Sequence, residues 1–169
     1  MITKRIGVFE TNSSSVHAVC ISDKDPEKLP EHIRFVYGEY DNIREDLKST
    51  TSRASYLLEL ILFGGIDKID DRLDMLREWL DTLGVKYHFP EEIEEDNIYA
   101  ALDEGYIGHG AVADITDALM RDKDLLKRFL FSKDSLVQIG ADWDDYYMDE
   151  QLMYEDKENP GFMVFNKWN

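Results

Sequence analysis

Apolar positions along the chain follow two different periods. Residues 16–21 (VHAVCI) form a short, nearly continuous apolar run, the pattern of a strand buried on both faces. Ile33, Phe35 and Tyr37 alternate with Arg34 and Val36, which predicts a second strand ended by Gly38. Beyond residue 48 the period lengthens. STTSRASYLLELILFGG reads as a helix closed by Gly64 and Gly65. Ile69, Leu73, Leu76, Leu80 and Leu83 recur at steps of four, three, four and three, the clearest amphipathic helix in the chain. Asp67 is placed to cap its start and Gly84 its end. VKYHF alternates as a short strand. PEEIEEDNIYAALDEG follows as a helix with acids in its first turn, where the helix dipole favours them. Two short helices, GAVADITDALM and DKDLLKRFLF, turn Val112, Ile115 and Leu119, and then Leu125, Leu126 and Phe129, inward. SLVQIG and GFMVFNKW read as closing strands.

Strands at both ends with helices between them predict an α+β fold. One sheet would include the N- and C-terminal strands and pack with about five helices. No repeat or low-complexity linker divides the 169 residues, so residues 1–169 are expected to form a single domain.

Composition narrows the classes. The chain is 43% hydrophobic with nine Tyr, eight Phe and three Trp, which argues against disorder in spite of its charge. No run of about 18 apolar residues spans a membrane. MITKRIGVFE lacks the apolar stretch of a signal peptide. The single cysteine, Cys20, allows no internal disulfide, so a reducing, cytoplasmic setting is expected. Acids outnumber bases 36 to 19, for a net charge of −17. Such a surface repels a phosphate backbone, which disfavours direct nucleic-acid binding, and it attracts a basic protein partner. Plain solubility is the competing explanation.

Candidate chemistry concentrates in FETNSSSVHAVCI. Asn12 and the serines Ser13, Ser14 and Ser15 have short side chains that hydrogen-bond nearby backbone, so they suit a structured turn into the strand. The same turn could present its hydroxyls to a bound group, with His17 at the mouth of the strand. Strand alternation places His17 with Val19 and Ile21 and puts Cys20 on the opposite face, so His17 and Cys20 do not form a metal pair. Cys20 reads as a small buried hydrophobe. His32 and His88 read as surface residues. His109 lies between Gly108 and Gly110 in a tight loop before a helix, either as a loop residue or as a ligand.

GVFETNSSSVH resembles the opening of a group of small proteins from phages and mobile elements of Firmicutes. The usual form of that group has Thr where this chain has Val16. Gly38, Glu39 and Tyr40 resemble the group's Gly-Glu-aromatic element, and Ala54, Ser55, Tyr56 and Leu57 resemble its Ser-Tyr-Leu helix start. Tyr106, Ile107 and His109 resemble a Tyr-Ile-Asp-His element with Gly108 in place of the acid. Gly140 to Asp142 resemble a Gly-Asn-Asp element with Ala141 in place of Asn. The resemblance implies a divalent-metal set of His17, His109, Glu39 and Asp142, with zinc the expected ion. Ser13, Ser14 and Ser15 would orient those ligands from behind. Some phage proteins of this general kind are anti-CRISPR inhibitors.

The segment DWDDYYMDEQLMYEDKE interleaves acids with aromatics. Asp144, Asp145, Tyr146, Tyr147, Asp149 and Glu150 are candidates for a surface that binds a basic partner, although the aromatics would equally suit a core. GxSxG, HExxH and P-loop motifs are absent, and no catalytic residue is assigned. Two expectations follow. One is an acidic inhibitor, resident in a host cytoplasm, of a basic nucleic-acid-handling protein such as a CRISPR effector nuclease, with a structural metal. The other is a metal-dependent hydrolase that uses His17, His109 and Glu39.

Overall fold

The computed structural model describes residues 3–9, 15–38, 40, 45–104 and 112–141. They form an α+β fold of two sheets and six α-helices. Strands β1 (Thr3–Phe9), β2 (Ser15–Ser22), β4 (Glu45–Leu47) and β6 (Leu136–Ala141) make one antiparallel sheet in the order β1-β2-β6-β4. Strands β3 (His32–Arg34) and β5 (Lys86–His88) form a separate parallel pair.

The expected N-terminal strand, residues 16–21, is β2 of the main sheet, next to β6; β1, which pairs with β2, and the separate β3–β5 pair were not expected. The strand expected at GFMVFNKW lies outside the described residues. The strand expected over residues 33–37 pairs only through Arg34, after which the backbone N–H of Phe35 donates to the His88 carbonyl at 2.9 Å.

The centre of the molecule is α1 (Thr50–Phe63). Every residue from Arg53 to Leu62 is buried, so this helix is enclosed on all sides. Ser49 caps its start by accepting from the Ser52 N–H at 3.0 Å. Val19 and Ile21 of β2, Val137 and Ile139 of β6 and Leu47 of β4 join the same core as Leu57, Leu58 and Leu60–Leu62. Helix α2 (Ile69–Leu83) buries Ile69, Leu73, Leu76 and Leu80, the stripe that its spacing predicts. Gly84 closes it in the left-handed conformation, φ 68°. The start of α2 differs from expectation. Asp67 sits in a 3-10 turn (Ile66–Lys68), and Lys68 precedes the helix with no side-chain cap bond.

The helix expected over residues 90–105 is two helices, α3 (Glu91–Glu94) and α4 (Ile98–Glu104). Asp96, at φ 59°, breaks it between them. Helices α5 (Val112–Arg121) and α6 (Lys123–Phe131) complete the set, and Asp122 caps α6 through the N–H groups of Asp124 and Leu125. No helix among the described residues is long and apolar enough to cross a membrane.

Candidate functional site

His17 is buried, 2% exposed, on the face of β2 that also carries Val19 and Ile21. Its Nδ1 and the Tyr56 hydroxyl of α1 share a hydrogen bond of 3.1 Å. This bond fixes the plane of the imidazole ring. Cys20 is buried and reduced, as the strand alternation requires of a small apolar side chain.

Tyr56 also holds Tyr40. The two rings meet edge to face with centroids 5.2 Å apart, and Tyr40 is only 6% exposed. The chain just before Tyr40 is tied to the same helix at two points. Ser55 Oγ accepts from the Val36 N–H at 3.2 Å, and Glu59 Oε1 accepts from the Gly38 N–H at 3.0 Å. Alternate N–H groups of an extended segment point the same way, as do residues four apart on a helix. Ser55 and Glu59 thus grip residues 36 and 38 as a neighbouring strand would. Gly38 is required here, because a Cβ at this position would lie 2.6 Å from the Tyr40 ring.

Glu59 is fully buried, and its Oε2 has no hydrogen-bond partner among the described residues. Burial pushes its carboxyl up to about 7, against a smaller opposing pull from the Gly38 N–H. Burial also raises the Tyr40 phenol, with the neighbouring carboxylates of Glu59 and then Glu45 adding to the effect.

Of the metal set expected from the sequence, only His17 is among the described residues. Glu39, His109 and Asp142 lie outside them, as do Ser13, Ser14, Asp144, Asp145, Tyr146, Tyr147, Asp149 and Glu150. The chain neighbours of two of these positions are placed. Gly38 and Tyr40 flank Glu39 and both reach the α1 face beside His17. Ala141, which precedes Asp142, pairs with Ser15 at the same end of the sheet as the Val8–His17 pair. Among the described residues no group of three or more His, Cys, Asp or Glu side chains is arranged to hold a metal ion. His32 and His88 are exposed, as expected of surface residues.

Three residues that matter here were not singled out for their charge or polarity: Glu59, Arg53 and Arg72. Their signal was available. Arg53 and Glu59 are the only charges between Thr50 and Gly65, in an otherwise apolar helix, and a charge in such a place must be satisfied inside the protein. Arg53 is 1% exposed and donates to four backbone carbonyls, those of Lys48, Ser135 (2.6 Å), Leu130 (2.8 Å) and Ser132 (2.9 Å). Arg72 of α2 bonds Asp117 of α5 at 2.7 Å, and Lys68 and Arg121 lie 3.5 and 3.4 Å from the same carboxylate. The Arg72 guanidinium holds the Asp117 carboxyl below its ordinary range.

No family model, no curated protein and no solved structure matches the chain.

Proposed function

We propose that the chain is an acidic inhibitor that docks on a basic, nucleic-acid-handling protein, with a CRISPR effector nuclease the first candidate. The observation that carries this reading is the outer face of α2. Asp70, Asp71, Asp74, Glu78 and Asp81 are all exposed along it. Only Asp74 has a cationic partner among the described residues, Arg77 at 3.0 Å. From Asp70 to Asp81 the helix rises about 16 Å, so the five carboxylates are spaced about 4 Å apart on average along the axis. One strand of DNA carries a phosphate about every 3.4 Å of helix axis. A basic groove shaped for a phosphate backbone would therefore meet a similar linear charge density, held on a rigid helix. Arg77 also donates to the Ile93 carbonyl at 3.4 Å, which ties this face to α3 with its exposed Glu91 and Glu94, and to Glu95 just after it.

The test mixes the protein with an effector nuclease, its guide and target DNA. Inhibition should require stoichiometric protein and weaken with salt, as the screening length falls from about 10 Å at 0.1 M to about 3 Å at 1 M. Reversing Asp70, Asp74 and Glu78 to Lys should slow association at least tenfold while the fold stays intact, with only a small drop in melting temperature from the lost Asp74–Arg77 pair and the first-turn acid. Salt-independent inhibition, or full inhibition by the triple reversal, would remove α2 as the docking face.

A second reading, a metal-dependent hydrolase built on His17, Glu39 and His109, is favoured by one observation. Tyr56 both orients His17 and packs against Tyr40, the residue after Glu39. That reading requires substoichiometric protein to consume its target, with cleavage fragments on a gel, and His17→Ala to abolish the turnover.

A further inference from the structure

The β3–β5 pair has one face in the core and one in water. Ile33, Phe35 and Phe89 are buried and Tyr87 packs beside them, with the Phe35 and Phe89 rings stacked at 4.4 Å between centroids. Strand alternation sends His32, Arg34, Lys86 and His88 to the other face, and all four are exposed. The parallel register sets His32 beside Lys86 and Arg34 beside His88. Such neighbours lie about 5 Å apart across the strands and about 6.6 Å apart along them. A chain with 36 acids and 19 bases thus gathers two cations and two imidazoles on one small patch. Neither Arg34 nor Lys86 has an ion-pair partner among the described residues.

At the carboxyl ends of both strands lies an open cavity of about 210 Å³. Arg34 and His88 line it together with Val36, Tyr37, Pro90 and Glu92, so the patch and the cavity share two side chains. We propose that they form one binding site for a small molecule carrying phosphate beside hydroxyl groups, the chemistry shared by sugar phosphates and nucleotides. The site is separate from the acidic face of α2 and does not depend on what docks there.

Phosphate offers several acceptor oxygens and negative charge. A guanidinium meets two of those oxygens with its planar fork, and an ammonium adds a point charge. The patch is large enough for one or two adjacent phosphates. A longer nucleic-acid strand would run on to the exposed Glu31 before β3 and Glu91 after β5. The cavity is smaller than the roughly 300–1,000 Å³ of sites that enclose drug-sized ligands, which suits a single sugar ring. Glu92 is half-buried in its wall, and an ionised carboxylate only accepts hydrogen bonds. It therefore favours hydroxyl groups and repels a second anion. The orientation follows: phosphate over Arg34 and His88, hydroxyls towards Glu92. The walls are fixed before a ligand arrives. The Phe35 N–H donates to the His88 carbonyl at 2.9 Å, the Val36 N–H to Ser55 Oγ at 3.2 Å, and the Phe89 N–H to Glu94 Oε1 at 3.0 Å. Binding then orders little that is not already ordered.

The test titrates the isotope-labelled full chain, followed by NMR, with ribose 5-phosphate, ADP, inorganic phosphate and ribose. Ribose 5-phosphate or ADP should bind with a Kd of about 1 mM or lower and shift the amides of residues 34–37 and 86–92. The tighter of the two tells whether the sugar phosphate or the nucleotide is the better ligand. Ribose and inorganic phosphate should each bind at least about tenfold more weakly, since each lacks one half of the recognised chemistry. Arg34→Gln and Lys86→Gln should each raise the Kd about tenfold and leave the melting temperature unchanged, because both side chains are exposed. Lys123→Gln, which removes an exposed cation on α6, should change nothing. Glu92→Gln should weaken ribose 5-phosphate but not inorganic phosphate. Four results overturn the proposal: no shifts at about 10 mM of either phosphorylated ligand, shifts centred elsewhere, ribose or inorganic phosphate binding as tightly as ribose 5-phosphate, or full affinity in Arg34→Gln.

Discussion

Replacing Arg53 with Met should remove a clamp that joins three parts of the chain. The guanidinium ties α1 to the Lys48 carbonyl before it, to the Leu130 and Ser132 carbonyls at the end of α6, and to the Ser135 carbonyl at the entrance of β6. Burial pushes its pKa down to about 10, so the group is still charged at neutral pH. Methionine fills similar space but donates nothing. Four carbonyls then lose a donor, at about 1 kcal/mol each for a buried acceptor left unmade, or ~4 kcal/mol in all. Sparing the desolvation of a buried cation returns part of this, which leaves a net loss of about 3 kcal/mol. A chain of this length loses about 2–4 °C of melting temperature per kcal/mol, so the expected drop is roughly 6–12 °C. Differential scanning calorimetry or thermal circular dichroism measures it. Arg53→Lys separates charge from geometry. Lysine keeps the charge but has one nitrogen and no planar fork, so it cannot reach carbonyls on three segments at once. It should be at least as destabilised as the Met variant. A Met variant within about 2 °C of wild type, or a Lys variant that restores full stability, would refute the clamp.

Tyr56→Phe removes the hydroxyl that orients His17 and should lower stability by about 1–2 kcal/mol, read as a melting shift together with a displaced His17 ring signal by NMR. Asp117→Asn should cost about 1–2 kcal/mol at pH 7, because Arg72 is buried and loses its charged acceptor. The Asp117 carboxyl is held low in the folded state, so its contribution is present above the ordinary 3.8 and lost as pH falls further; the gap between wild type and variant should narrow below that pH. Protein purified without chelator or a metal-affinity tag should carry a stoichiometric divalent ion, zinc first, and its removal should lower the melting temperature if the ion is structural. Elemental analysis that finds no metal in the wild type would end the metal assignment.

The parts of the fold that could be read from sequence are those whose pattern is local. The α2 stripe repeats every three or four residues, and it appears where it should, down to Gly84 at φ 68°. Strand β2 announces itself by a run of apolar residues. Strand β1 does not. Lys4, Arg5 and Gly7 interrupt its pattern, and its place in the sheet comes from pairing with β2. Strand β4 is three residues, two of them acids, and only its ladder with β6 makes it a strand. The parallel pairing of β3 with β5 joins residues 54 positions apart in sequence, and that contact leaves no trace in either segment alone. The candidate site divides in the same way. Strand alternation placed His17 on the Val19–Ile21 face, whereas Tyr56, Glu59 and Gly38 meet it only through tertiary packing. The serine run is conspicuous in the sequence, whereas the one glutamate in YLLELILF is a quieter anomaly whose burial only the fold makes plain.

That glutamate and Arg53 make α1 an unequal helix. They sit six residues apart, about 9 Å along the axis, and both are buried. Among the described residues they do not pair with each other: Arg53 donates to backbone carbonyls, and Glu59 accepts one backbone N–H through Oε1 alone. Arg53 stays charged at every physiological pH and has four carbonyls to hold it, so its surroundings have one stable arrangement. Glu59 accepts one N–H, and burial favours its neutral form, so it holds its neighbour with a single bond where Arg53 holds three segments with four. The N-terminal half of α1 is thus fixed firmly to the α6–β6 turn, and loss of Arg53 should cost more stability than loss of the Glu59–Gly38 bond, about 3 kcal/mol against about 1.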